Sequence, residues 1–339
     1  MIRPSPKPQP DVIAIPASPR ATIGGHVAIA RIDHWFKNVF VLPGIVAALG
    51  MDPAAHLGGV VSRIVIGLAA VCLVASSNYV INEVMDAPFD REHPTKRLRP
   101  VPSGLVNVPL AYVQWLVLMA AGVGLGVLVS RPLAFTLVAL WIMGCVYNLP
   151  PIRSKDVPYV DVLSEAVNNP LRMLAGWYMV SALVPPASLL LSYWMIGSYF
   201  MGMKRFAEYR EIANRTVAAA YRRSFRYYNT RRLLVSITFY GSAAMLFFGA
   251  FIMRYRLELV MTFPLVAWIM AIYLSLSFKK NSAVQQPEKL YREPVLMAAV
   301  IGCTIMMALL LFVDVPLVYR VFAPTVPASA GWLHLRLTP

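Results

Sequence analysis

Between Asn82 and Pro100 the chain sets four acids (Glu83, Asp86, Asp90, Glu92) beside four bases (Arg91, Lys96, Arg97, Arg99), at the mouth of an apolar stretch. Asn82, Asp86 and Asp90 recur every four residues, and Glu83 falls three and seven residues before the two aspartates. On a helix such spacings share a face, so the oxygens line up as one stripe. Mg²⁺ is a hard, octahedral ion that takes one or two carboxylates and completes its shell with water and phosphate. An open stripe of carboxylates therefore suits a Mg²⁺–diphosphate better than a closed calcium cage. Pro88 weakens the assumption of a regular helix, because it removes one backbone bond. Lys96, Arg97 and Arg99 follow within ten residues of Asp90. Arginine forks match phosphate oxygens and lysine acts as a point charge, so this loop could meet phosphate that the metal leaves uncovered. The alternative reading is a polar cap that only anchors a helix end, and so many ionised groups at one span end argue against it.

A second stripe lies inside a segment that should be apolar. Asp161, Glu165, Asn168 and Arg172 follow a single helical face. Unpaired polarity in hydrocarbon costs several kcal/mol, so this face is expected to line a cavity, as a second metal- or diphosphate-binding arm facing the first. A structural ion pair, Glu165 with Arg172 or with another helix, is the competing reading. A third cluster, Lys204, Arg205 and Glu208, closes the next apolar run; a solvated Lys204–Glu208 pair would explain it without function. Arg31, His34, Trp35, Lys37 and Asn38 make a polar, aromatic entry to the first run, where such residues are commonly anchors. His26, His56 and His334 read as loop histidines. Cys72, Cys145 and Cys303 lie in apolar runs without metal-ligand spacing, which argues against a disulfide framework or zinc site. No nucleophilic triad or dinucleotide fingerprint is present.

The elements that must position these groups follow from composition. Of 339 residues, 58% are hydrophobic and 14% charged, against about 25% charged in soluble domains. Nine apolar runs approach the length that spans about 30 Å of hydrocarbon: 27–50, 58–81, 109–130, 132–149, 159–183, 186–203, 233–253, 259–278 and 295–319. The first is broken by Pro43 and the fourth is short. The expectation is an all-α polytopic membrane protein of nine helices. Bases concentrate in the loops 83–108, 150–158, 204–232 and 279–294, whereas the opposite side has only Arg131, Arg254, Arg256, Arg320 and Arg336. That asymmetry places the N-terminus and the acidic stripes in the cytoplasm and the C-terminus outside. The net charge of +15 is thus a topology signal and not a mark of nucleic-acid binding. Residues 1–25 read as a disordered Pro-rich tail, 26–322 as one nine-helix catalytic domain, and 323–339 as a short tail. Gly122, Gly124 and Gly126 read as a close-packing helix face. Nothing in the pattern fixes an oligomeric state.

Asn82-Glu83-x-x-Asp86-x-x-x-Asp90 resembles the first Asp-rich motif, N-D-x-x-D-x-x-x-D, of the UbiA superfamily of intramembrane prenyltransferases. His93-Pro94-x-Lys96-x-x-Arg99-Pro100 is similar to that motif's extension, and Asp161-x-x-x-Glu165 to the second motif, D-x-x-x-D. Trp35-x-Lys37-Asn38, Ser76-Ser77-x-Tyr79-x-x-Asn82, Leu171-Arg172-x-x-Ala175-Gly176 and Lys204-Arg205-x-Ala207-Glu208 resemble the decaprenyl-phosphate phosphoribosyltransferases within it. Glu83 and Glu165 depart from the family's Asp, keeping the charge but lengthening each arm by one methylene. The resemblance implies a nine-helix UbiA-type bundle and a Mg²⁺-dependent transfer from phosphoribosyl diphosphate (PRPP) to a polyprenyl phosphate at the cytoplasmic leaflet. It implies Asn82, Glu83, Asp86, Asp90, Asp161 and Glu165 as metal ligands, with Asp86, Asp90 and Asp161 central to catalysis. Lys37, Lys96, Arg97, Arg99, Asn168, Arg172, Lys204, Arg205 and Glu208 would contact phosphate or substrate. Two readings stand beside it: transfer of an isoprenoid from a prenyl diphosphate to an aromatic or alcohol acceptor, and a non-enzymatic transporter.

Overall fold

The computed structural model describes residues 21–52, 54, 59–91, 96–212 and 222–322, and the secondary structure within them is helical, with no strand. Most of the expected tail 1–25 and all of 323–339 lie outside the described residues, as do His56, Glu92, His93, Pro94, His334 and residues 213–221 of the basic loop 204–232.

The first expected span is broken, as Pro43 suggested. A short α1 (Ile23–Ile29) passes through Arg31, whose backbone is left-handed, into a 3-10 segment (Ile32–Val41) and then α2 (Leu42–Met51), with Pro43 in its first turn. α3 (Val60–Asp90) runs unbroken for 31 residues and contains Pro88. Pro88 sits in the last turn, where only a terminal backbone bond is lost. At 1.5 Å per residue α3 is roughly 46 Å long, enough to cross ~30 Å of hydrocarbon and carry its last turns beyond it.

α4 (Val108–Val129) and α5 (Arg131–Asn148) pack against α3 and each other. The expected 159–183 span is interrupted at Val167, giving α6 (Val160–Ala166) and α7 (Asn168–Val180). Pro170 explains the break, since it has no N–H to donate to the Ala166 carbonyl. α8 (Ala187–Glu211) pairs with α9 (Thr230–Tyr255), and α10 (Phe263–Ser277), α11 (Pro294–Leu310) and α12 (Pro316–Val321) follow.

Among the described residues, six segments are long and apolar enough to cross a membrane: Ile23–Met51, Val60–Asp90, Val108–Val129, Arg131–Asn148, Thr230–Tyr255 and Leu257–Ser277. The count of nine is not reached. The 159–183 run is two short helices, α8 is diluted by serines and a charged last turn, and α11 has 17 residues.

One core joins α2, α3, α5 and α7 through residues such as Ile45, Val71, Leu137 and Trp177. Another joins α8 to α11 through Met203, Ile237, Tyr273 and Cys303. α2 and α7 meet main chain to main chain: a Cβ on Gly44 would strike the Met173 carbonyl, and one on Gly176 the Val41 carbonyl. Gly122 and Gly126 do form a packing face, against Ala70 and Val74 of α3 and Leu137 of α5, while Gly124 meets nothing. The three cysteines are unbonded to one another. Outward faces are apolar, with Val61, Val65, Leu128, Phe135 and Leu246 all largely exposed, as a lipid-facing surface requires.

Candidate active site

The last turns of α3, the C-terminus of α5, the start of α6 and the last turns of α8 converge at one end of the bundle. On α3, Asp86 Oδ1 accepts from Lys155 Nζ at 2.5 Å and from Arg153 Nη2 at 3.0 Å. Asn82 Nδ2 donates to Asn148 Oδ1 at 2.6 Å, and Lys155 Nζ reaches the same oxygen at 2.9 Å. Asp90 Oδ2 accepts from Arg99 Nη1 at 2.6 Å. Arg153 is held in the left-handed region (φ 32), with its guanidinium also bonded to Asp156 and lying 5.2 Å from the Phe89 ring. Such a backbone costs about 1–3 kcal/mol, so the surrounding contacts must over-determine it. Glu83 does not join this row. It is 1% exposed and accepts from the Val101 N–H (3.1 Å) and Arg31 Nη2 (3.3 Å), fastening the loop after residue 96 to the helix.

The second row is organised by Arg205 on α8. Its Nη2 donates to Glu165 Oε2 at 2.5 Å and its Nη1 to Glu208 Oε2 at 3.1 Å, while Nε lies 3.4 Å from Asp161 Oδ2. Glu165 is thus paired with another helix and not with Arg172, and Glu208 with Arg205 and not with Lys204. Asp161 is fully enclosed, accepting from Tyr228 OH (2.6 Å) and Ser224 Oγ (3.1 Å).

Two neighbours at the end of α5 tie the rows together. Tyr147 OH donates to Glu165 Oε2 at 2.9 Å, and Asn148 holds Asn82. Lys155 Nζ, which bonds Asp86, lies 5.8 Å from the Tyr147 ring centroid. Burial pushes the Lys155 ammonium below its ordinary range, and Asp86 pushes it back up. Lys96 is likewise lowered by burial and raised by Asp90, Asp86 and Glu208, so carboxylates of both rows act on one lysine.

Other expected residues stand apart from these bonds. Arg97 is exposed, Lys37 lies beside His34 in the 3-10 segment, and Asn168 Nδ2 donates to the Glu165 carbonyl at 3.0 Å. Lys204 makes no ion pair among the described residues, although its charge acts on Glu165. Arg172 lies deeper and donates to Asn38. Spacing does not single out Asn148, Tyr147, Ser224 or Tyr228, and it reads Arg153, Lys155 and Arg222, whose Nη2 donates to Tyr147 OH at 3.1 Å, only as topology charges. The available signal was an Asn ending an apolar run, where polarity is costly unless used.

Among the described residues no three His, Cys, Asp or Glu side chains lie close enough to hold a metal by themselves. Mg²⁺ does not need three, because water and substrate phosphate complete its octahedron. The Asp86 and Glu165 side chains remain 25% and 29% exposed, whereas those of Asp90, Glu83 and Asp161 are 6%, 2% and 0% exposed. Accessible hard oxygens on Asn82, Asp86 and Glu165 fit the ion. Buried, already satisfied Asp161 and Glu83 fit a framework role.

Residues 38–300 match the model of the UbiA prenyltransferase family. A decaprenyl-phosphate phosphoribosyltransferase from Mycobacterium tuberculosis (strain CDC 1551 / Oshkosh) is 33% identical over 240 residues, covering 70% of this chain and 76% of that protein. The Mycolicibacterium smegmatis protein of the same name is 29% identical over 68% of this chain and 71% of its own. In fold, the chain is similar to a UbiA homolog from Archaeoglobus fulgidus solved with GPP and Mg²⁺, at a TM-score of 0.64 and 20% identity, covering 85% of this chain and 99% of that one.

Proposed function

Because the chain belongs to the UbiA prenyltransferase family, whose members are membrane-embedded transferases, we propose that it moves a phosphoribosyl group from PRPP to a polyprenyl phosphate and releases diphosphate. The observation that carries this reading is the joining of the two acidic rows into one polar basin through Tyr147 and Asn148. The mycobacterial relatives' name supports the choice of donor and acceptor.

Asn82, Asp86 and Glu165 would hold Mg²⁺, which when bound supplies Lewis-acid stabilisation to the leaving diphosphate. Lys96, Lys155, Arg153 and Lys204 surround the basin and balance charge that builds on the same group. Arg99 and Asp90 fix the loop that carries Lys96. A lipid-phosphate oxygen attacks the anomeric carbon, the bond to diphosphate breaks, and no proton need move, since the attacking oxygen is anionic at neutral pH. The apolar helices shelter the lipid from water. By the distribution of basic residues the basin faces the cytoplasm, together with the N-terminus.

Membranes containing the protein, given labelled PRPP and polyprenyl phosphate, are expected to form a labelled lipid. Absence of that product, with turnover of a prenyl diphosphate plus an aromatic acid, overturns the proposal. That second reading, isoprenoid transfer, draws on the fold shared with the homolog solved with GPP, and its diphosphate would occupy the same basin.

A further inference from the structure

Arg172 has no acid. Its guanidinium, on α7 inside the bundle, donates from Nε to Asn38 Oδ1 (3.1 Å) and from Nη1 to the Asn168 carbonyl (3.5 Å). Asn38, itself buried, is held in turn by a contact from Nδ2 to Cys72 Sγ at 3.1 Å. Among the described residues no carboxylate pairs with Arg172, and its charge falls instead on Tyr79, Tyr193 and Cys72. Neither tyrosine hydroxyl has a hydrogen-bond partner among the described residues, and both side chains are only partly buried. Tyr79 packs on His34 (ring centroids 5.5 Å apart) and Tyr193 on Phe40 (6.5 Å), so the two tyrosines flank the segment that presents Asn38 to Arg172. The cation held there lacks an anion to balance it.

The cluster adjoins the second acidic row through Asn168, whose carbonyl accepts from Arg172 and whose Nδ2 donates to the Glu165 carbonyl, and it is set apart from the first row by depth along α3. Tyr79 precedes Asp86 by seven residues on α3, which is about 10 Å along the axis, and Cys72 lies deeper still, about 21 Å from Asp86. A diphosphate at the Asp86 end and an anion at Arg172 would therefore sit at different levels along α3, about the length of a sugar phosphate apart. A guanidinium fork and two phenols match a tetrahedral phosphate, and Asn38 presets the fork.

We propose that Arg172, Tyr79 and Tyr193 form a second anion subsite that takes the phosphate monoester of the lipid acceptor, head toward the basin and tail along the apolar helices. The identity of the anion rests on the phosphoribosyl-transfer reading. The cluster thereby sets which substrate bears a charged head deep in the bundle, whereas the acidic rows serve the diphosphate.

Binding and kinetics test it separately. Purified protein in detergent is scanned for thermal protection by polyprenyl phosphate and by the matching polyprenol, in wild type, Arg172→Met, Arg172→Lys and Tyr193→Phe. Wild type is expected to favour the phosphate, and Arg172→Met to bind both lipids alike, with Arg172→Lys between. In turnover, Arg172→Met raises KM for the lipid phosphate at least tenfold, as loss of a charge-assisted bond requires, and leaves KM for PRPP within about twofold. Tyr193→Phe gives a smaller change of the same kind, and carries the test should Arg172→Met fail to fold. Equal preference for phosphate over polyprenol in wild type and variants, or a rise in KM for PRPP alone, overturns the subsite. Intact preference in wild type without any PRPP-dependent product would instead overturn the phosphoribosyl reading.

Discussion

Replacing Arg205 by methionine strips Asp161, Glu165 and Glu208 of a shared cation that is 2% exposed. The three acids are not equally hurt. Asp161 keeps Tyr228 and Ser224, Glu165 keeps Tyr147, and Glu208 loses its hydrogen bond at 3.1 Å with no other hydrogen bond among the described residues. Removing one partner of a buried ion pair costs about 3–5 kcal/mol, and the surviving bonds place Arg205→Met toward the lower end. For a chain of this size that is a fall in Tm of roughly 4–6 °C. Arg205→Lys keeps the charge but cannot serve three acids at once, so about half that fall is expected. The assay is a thermal scan of the purified protein in detergent, with the two variants compared at one detergent concentration. A Met variant within about 2 °C of wild type would show that Arg205 does not organise the second row, and the argument for that row would fail with it.

The remaining predictions concern the basin and the helix seam. Asp86→Asn should lower kcat at least a hundredfold while membrane insertion is unchanged, whereas Glu83→Gln should keep kcat within about tenfold and lower Tm, because only Asp86 is placed to meet the leaving group; equal kinetic losses would overturn the division. Chelation by EDTA should abolish turnover and added Mg²⁺ restore it, measured as labelled lipid formed; turnover surviving exhaustive chelation would remove the metal from the reading. Gly176→Ala should destabilise by about 1–3 kcal/mol through overlap with the Val41 carbonyl, seen as a lower Tm; an unchanged Tm would mean that α2 and α7 can part.

Much of this architecture was legible in residue order. The spacing of Asn82, Asp86 and Asp90 does put them on one helix, and Pro43 does mark a broken first span. The charged last turn of α8 does meet the acids of α6. What escaped has a common cause: spacing tells which residues share a face but not what packs against it. Glu83 shares the periodicity of the aspartates yet is captured by Val101 and Arg31, and Asp161 is captured by Ser224 and Tyr228, 63 and 67 residues away. Hydropathy counted 159–183 as one span because Pro170 breaks the hydrogen-bond ladder without altering apolarity. Arg153 and Lys155 read as topology charges because nothing local distinguishes a base that faces water from one that faces Asp86.

The main-chain contact between α2 and α7 bears on how a lipid could reach the interior. Helices that admit a hydrocarbon tail sideways must be lined where they meet by side chains that can swing aside. Gly44 and Gly176 offer none, and the carbonyls of Met173 and Val41 fill the place where such side chains would be. That seam is a wall, and the doorway for a greasy substrate has to be sought along a different pair of helices.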